Sequence, residues 1–138
     1  MPYPEQFVAP MREELTRLGV QELRTSAQVD EAVAQPGTVM IVVNSVCGCA
    51  AGKARPAIAM ALQHAHKPDH LATVFAGADI DATDRARAHM APYPPSSPSV
   101  ALIKDGKLVF VMERRDIETR DALSIAAHLK SAFDQHCA

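Results

Sequence analysis

Thr38-Val39-Met40-Ile41-Val42-Val43 is a run of apolar and β-branched residues with no polar alternation. An extended segment sends successive side chains to opposite faces, so this run must be covered on both sides. Leu71-Ala72-Thr73-Val74-Phe75 meets the same condition. The two together predict an α/β fold of three layers, a central sheet flanked by helices. A chain of 138 residues fits a single domain, 1–138, large enough to bury a core.

The flanking segments agree. Met11, Leu15 and Leu18 follow Pro10 at helical spacing before Gly19, which predicts a helix over 9–18. A short strand is expected at Gln21–Arg24. Thr25-Ser26-Ala27-Gln28 has the form of a capping box, with Val29, Ala32 and Val33 on one face and Pro36-Gly37 closing the helix. Ala50 to about His66 reads as a helix that Pro56 kinks or restarts. A short helix is expected over Thr83–Met90. Pro92, Pro94, Pro95 and Pro98 then exclude both helix and central strand. Val100–Val111 reads as two strands around an Asp105-Gly106 turn, so the proline segment is a loop inside the domain. Arg120–Gln135 is an amphipathic helix.

Between the first strand and its helix stands Val46-Cys47-Gly48-Cys49-Ala50. A thiol at a helix N-terminus meets unpaired N–H groups that favour the thiolate, the reactive form. The C-terminal ends of strands are also where open α/β sheets place their sites. Cys47 and Cys49 are therefore the candidate catalytic residues. Glycine between them allows a turn tight enough for a strained, labile disulfide. Two other readings stand beside this one, a pair of buried small side chains and a metal-binding Cys-x-Cys.

Other functions find less support. No apolar run approaches the roughly 18–20 residues needed to span a bilayer, so no membrane partner is expected. Met1–Phe7 has neither the basic start nor the apolar core of a secretory signal, and cytoplasm is the expected location. Three cysteines in that compartment suggest a reactive or metal-binding role rather than a disulfide scaffold. A net charge of −2, no tryptophan and no basic block argue against nucleic acid. The six histidines, His64, His66, His70, His89, His128 and His136, show no metal-site spacing with a partner and are expected on the surface, so no metal is assigned. Cys137 is expected to be a free surface thiol at a frayed helix end, with resolution or a disulfide-linked homodimer as alternatives.

The element order resembles that of a thioredoxin fold, with Cys47 before a proline-containing helix and Pro98 before a hairpin. Asn44-Ser45-Val46-Cys47-Gly48-Cys49-Ala50, Ala54-Arg55-Pro56, Val74-Phe75-Ala76-Gly77, Tyr93-Pro94-Pro95-Ser96-Ser97-Pro98-Ser99 and Cys137 closely resemble the bacilliredoxin family over essentially the whole chain. That resemblance implies a thiol–disulfide oxidoreductase that removes bacillithiol from protein mixed disulfides, with weak disulfide isomerase activity also associated with the fold. It implies bacillithiol as co-substrate, bacillithiolated proteins as clients and no tightly bound cofactor. Cys47 would attack, and either Cys49 or a second bacillithiol would resolve. A cis Ser97-Pro98 bond would bring Ser97 and Pro98 beside the cysteines to pair with substrate. Lys53 and Arg114 are the candidate cations for the thiolate or the malate carboxylates of bacillithiol, with ordinary solvation as the alternative. Arg115 is considered with Arg114, and Arg55 is expected to be solvated. Asn44 and Ser45 are candidates to orient the thiol loop. The competing assignment is a metal-binding or metal-delivery module using Cys47 and Cys49, with His136 and Cys137 of a dimer.

Overall fold

Every residue of the strand Thr38–Asn44 is buried, and its neighbours explain why. A computed structural model describes residues 2–138; Met1, part of the N-terminal reading above, lies outside them. In chain order the described residues form α1 (Glu5–Thr16), β1 (Gln21–Glu22), α2 (Ser26–Val33), β2 (Thr38–Asn44), a π-helical turn (Ala50–Ala54), α3 (Arg55–Ala61), β3 (His70–Phe75), α4 (Ile80–His89), β4 (Ser99–Lys104), β5 (Lys107–Met112), α5 (Arg114–Glu118) and α6 (Ala122–His136). The sheet order is β1-β3-β2-β4-β5. β3 runs parallel to β1 and β2, whereas β4 is antiparallel to β2 and β5.

Alternation along β2 feeds two apolar layers. Val39, Ile41 and Val43 pack with Val29 and Val33 of α2 and Ala82 and Ala86 of α4. Met40 and Val42 pack instead with Ile58 of α3 and Leu129 and Phe133 of α6. β4 divides in the same way, Ala101 and Ile103 to the first layer and Val100 and Leu102 to the second. The three-layer expectation is met. The hairpin turns through Asp105 (φ 49°) and Gly106 (φ 81°), the two left-handed residues of a type I′ turn. No helix among the described residues is long and apolar enough to cross a membrane.

Some boundaries differ from expectation for identifiable reasons. α1 begins at Glu5 rather than residue 9, and Pro10 lies inside it. Pro10 and Gln6 are both exposed, so the carbonyl that the missing N–H leaves free faces water. Arg12 anchors this helix: it is buried, donates to both oxygens of Asp79 (2.6 and 3.0 Å), pairs with Glu5 (3.1 Å) and covers the Phe75 ring at 5.3 Å. The capping box at Thr25 and Gln28 forms as expected. α3 ends at Ala61, where the chain tightens into Gln63 N–H to Met60 O and His64 N–H to Ala61 O bonds. The short helix α5 was not anticipated; Glu113 and Asp116 cap it reciprocally, and Asp121 caps α6 by accepting from the Ser124 N–H.

Leu102 is fully buried at the centre of β4. Leu102→Ala should cost about 2–5 kcal/mol, seen as a lower urea midpoint with an unchanged slope; an unshifted midpoint would contradict the packing described.

Candidate active site

β2 ends in a buried polar junction. Asn44 Oδ1 accepts from the Ser45 N–H (2.9 Å) and from Arg55 Nη1 (2.9 Å), while Asn44 Nδ2 donates to Met11 O (3.3 Å). Arg55 Nη1 also donates to Ser45 O (2.9 Å), and its Nε lies 3.2 Å from Glu14 Oε1. Arg55 is only 3% exposed, which corrects the expectation that it is solvated. Pro56 supplies part of the reason, since it has no N–H and its ring obstructs an ordinary preceding turn. The turn widens, so that the Arg55 N–H donates five residues back to Ala50 O. One extra residue rotates the following helical face by about 100° relative to a regular helix, and a simple periodicity misplaces Arg55.

The junction delivers Ser45 to the thiol. Ser45 Oγ donates to Cys47 Sγ at 3.2 Å and accepts from the Cys47 N–H at 3.4 Å. The Cys47 carbonyl accepts from the N–H groups of Ala50 and Ala51, both at 3.1 Å, so Cys47 stands at the start of the helical run. Partial burial pushes the Cys47 thiol up, but the Ser45 hydroxyl, the backbone N–H groups of Ala50 and Cys49 and the charge of Arg114 outweigh it. The net result is a thiol held below its ordinary value, with more thiolate near neutrality. Asn44 and Ser45 thus orient the thiol loop. Cys49 is also half-buried and packs against the apolar layer of α3 and α6.

Cys47 opens into a cleft of about 320 Å³, whose lining includes Tyr3, Gly77, Arg87, Ser97 and Arg114. Glycine is favoured at Gly77: its φ is +84°, and a Cβ there would stand 2.6 Å from Tyr3 Cε2, so the exposed Tyr3 ring would have to shift. The Ser97–Pro98 bond is cis, as expected, and Ala91–Pro92 is cis as well. Arg114 ties this loop to α5, its N–H donating to Ser96 Oγ (3.3 Å) and its Nη1 to Ser97 O (3.3 Å). Ser97 and Arg114 therefore meet Cys47 in one cleft, with Pro98 buried behind Ser97. Lys53 does not line it; its ammonium donates to Glu118 O at 2.6 Å, at the end of α5. Tyr3 and Arg87 were not singled out in the sequence, because each is far from Cys47 along the chain and belongs to no local motif.

Cys137 lies elsewhere. It neighbours Thr38, Asp69 and Lys104, at the other end of β2, and burial pushes its thiol up. The seven-residue strand separates it from Cys47 by roughly 20 Å. It packs, half-buried, against the core beside α6, which corrects the expectation of a thiol at a frayed surface end. None of the six histidines is buried, as expected, but two of them meet a carboxylate partner across the fold. His64 Nε2 and His66 Nδ1 both lie against Asp134 Oδ1, at 2.7 and 2.8 Å, giving two imidazoles and a carboxylate with ligand atoms within 4.8 Å of one another. Among the described residues, no such group includes Cys47 or Cys49. A larger depression, about 690 Å³, lies at the N-terminal end of β3 beside Asp69 and His70, and no thiol lines it.

A family model described as disulphide isomerase matches residues 3–137. A bacilliredoxin of Koribacter versatilis is 58% identical over 98% of this chain and 94% of its own length. Bacilliredoxins of Cytophaga hutchinsonii and Geobacillus kaustophilus are 54% and 48% identical, covering 96% and 99% of this chain and 98% and 94% of their own. Among solved structures, a mutant thioredoxin from Halobacterium salinarum matches with a TM-score of 0.60 at 13% identity, over 86% of this chain and 90% of that one. A Fasciola hepatica thioredoxin matches with 0.57 at 16% identity, over 85% and 99%. These last two share the fold.

Ser45→Ala removes the hydroxyl that favours the Cys47 thiolate. The pH midpoint of Cys47 alkylation by iodoacetamide should move upward in this variant, and an unmoved midpoint would show that Ser45 does not tune the thiol. Arg55→Met takes the donor from the buried Ser45 carbonyl and one of the two donors from Asn44 Oδ1, which should cost about 1–3 kcal/mol in urea unfolding and shift the alkylation midpoint as well.

Proposed function

The chain belongs to the bacilliredoxin family of thiol–disulfide oxidoreductases, and on that premise we propose that it removes bacillithiol from S-bacillithiolated protein cysteines, acting in the cytoplasm. One observation carries the reading: Cys47, with its thiolate favoured by Ser45, two backbone N–H groups and Arg114, opens into a cleft beside Ser97. Cys47 attacks the bacillithiol sulfur of the mixed disulfide. A new Cys47–bacillithiol disulfide forms, the old bond breaks, and the client sulfur leaves as a thiolate that takes a proton from water.

Two routes complete the cycle. Cys49 can attack Cys47 Sγ, releasing bacillithiol and leaving a Cys47–Cys49 disulfide for an external thiol reductant. Alternatively, a second bacillithiol attacks the carried one and leaves as bacillithiol disulfide. Bacillithiol is then a co-substrate, and neither route needs a tightly bound cofactor. The backbone at Ser97–Pro98 offers the edge on which an extended client segment pairs. Disulfide isomerisation draws on the same Cys47 attack, and the description of the matching family model favours it as a secondary activity.

The test is mass spectrometry of reduced protein after incubation with a bacillithiolated client. The wild-type chain should free the client thiol, Cys47→Ala should be inert, and Cys49→Ala should accumulate one bacillithiol on Cys47. Full turnover by Cys47→Ala would refute the assignment.

A further inference from the structure

The cleft beside Cys47 is lined by two arginines and no carboxylate, although the chain as a whole carries a net charge of −2. Its two guanidinium groups differ in how far their partners use them. Arg114 spends one N–H on Ser97 O and one on Glu118 Oε2 (3.2 Å), leaving the rest of its donors for a ligand. Arg87 has no ion pair and no side-chain hydrogen bond among the described residues, and its Nε is buried without an acceptor. Arg12 and Arg55 also carry an unbonded Nε, but both hold acceptors through their terminal nitrogens. A buried Nε–H without an acceptor is uncommon, since buried donors are nearly always paired, and the terminal nitrogens of Arg87 have no side-chain partner of their own to hold them away from the cleft.

α4 explains how Arg87 comes to face the cleft. Arg85 and His89, four residues apart, both reach Asp30 of α2, at 2.6 and 2.9 Å. Arg87 stands between them and so points to the other side of the helix. There it meets the space in front of Cys47. A planar guanidinium recognises a carboxylate by two parallel hydrogen bonds, and two guanidinium groups suit a dicarboxylate.

We infer that Arg87, together with Arg114, forms a dicarboxylate subsite that holds the malate group of bacillithiol while its sulfur is presented to Cys47. This rests on the function proposed above. It makes Arg87 a specificity-determining residue: it selects the small thiol to be removed, and it leaves the exchange chemistry to Cys47. Acidic residues of the client itself could supply the same carboxylates, so the test must separate the two sources.

The full chain would be assayed with one uncharged cysteine peptide capped either by bacillithiol or by 2-mercaptoethanol, and with an acidic peptide capped by 2-mercaptoethanol. The readout is the ratio of second-order rate constants. Wild type should prefer the bacillithiol cap, Arg87→Gln should lower that preference about tenfold or more, and Arg87→Lys should recover part of it. A wild-type chain with no preference for the bacillithiol cap would refute the proposed function and this subsite with it. A wild-type preference that Arg87→Gln leaves intact would overturn the subsite alone, as would an equal slowing on both caps. Loss confined to the acidic peptide would transfer Arg87 to client recognition and also overturn the malate assignment.

Discussion

A guanidinium withdrawn from water must find acceptors, because the cost of leaving it unpaired exceeds that of almost any other buried group. Arg55 meets that demand at the end of β2, through the Asn44 side chain and the Ser45 carbonyl. Those two bonds fix the backbone where the central strand gives way to the thiol loop. Ser45 is thereby left with its hydroxyl against Cys47 Sγ, and the helical run begins with its N–H groups towards the same sulfur. The reactivity of the thiol thus depends on the burial of an arginine eight residues further along the chain. Pro56 is part of the same device, since the wide turn before it brings Arg55 inward.

The sheet was legible because its signals are local. Unbroken apolar runs marked β2 and β3, an Asp-Gly pair marked the hairpin, and a Thr-x-x-Gln spacing marked α2. The cysteines were legible from their placement after a strand, and the cis Ser97–Pro98 bond through the resemblance to a thioredoxin fold. Arg55 was misread because an arginine in an alanine-rich helix ordinarily faces water, and a regular period cannot anticipate a π-helical turn. Arg87 had no local signal at all: a short polar helix around it satisfies every surface criterion, and only the tertiary fold brings it to Cys47. The same holds for His64 and His66, which meet Asp134 across sequence separations of 70 and 68 residues.

The cleft is assembled from segments that share no element. Tyr3 reaches it before α1, Gly77 from the turn after β3, Arg87 from α4, Ser97 from the proline loop and Arg114 from the first turn of α5. Gly77 turns the backbone beside the Tyr3 ring at a φ of +84°, which side chains rarely adopt. The end of β2 positions the loop that carries Cys47, and the surrounding loops and helices supply what the thiol meets.

The position of Cys137 has a consequence for electron counting. A sulfur held the length of β2 away, protonated and half-buried beside Thr38, has no covalent path to Cys47 within one folded chain. Internal oxidation is confined to the two sulfurs on either side of Gly48. For the exchange proposed at Cys47 and Cys49, this leaves a single pair of sulfurs within one chain to hold electrons, with the sulfur of Cys137 standing outside the cleft.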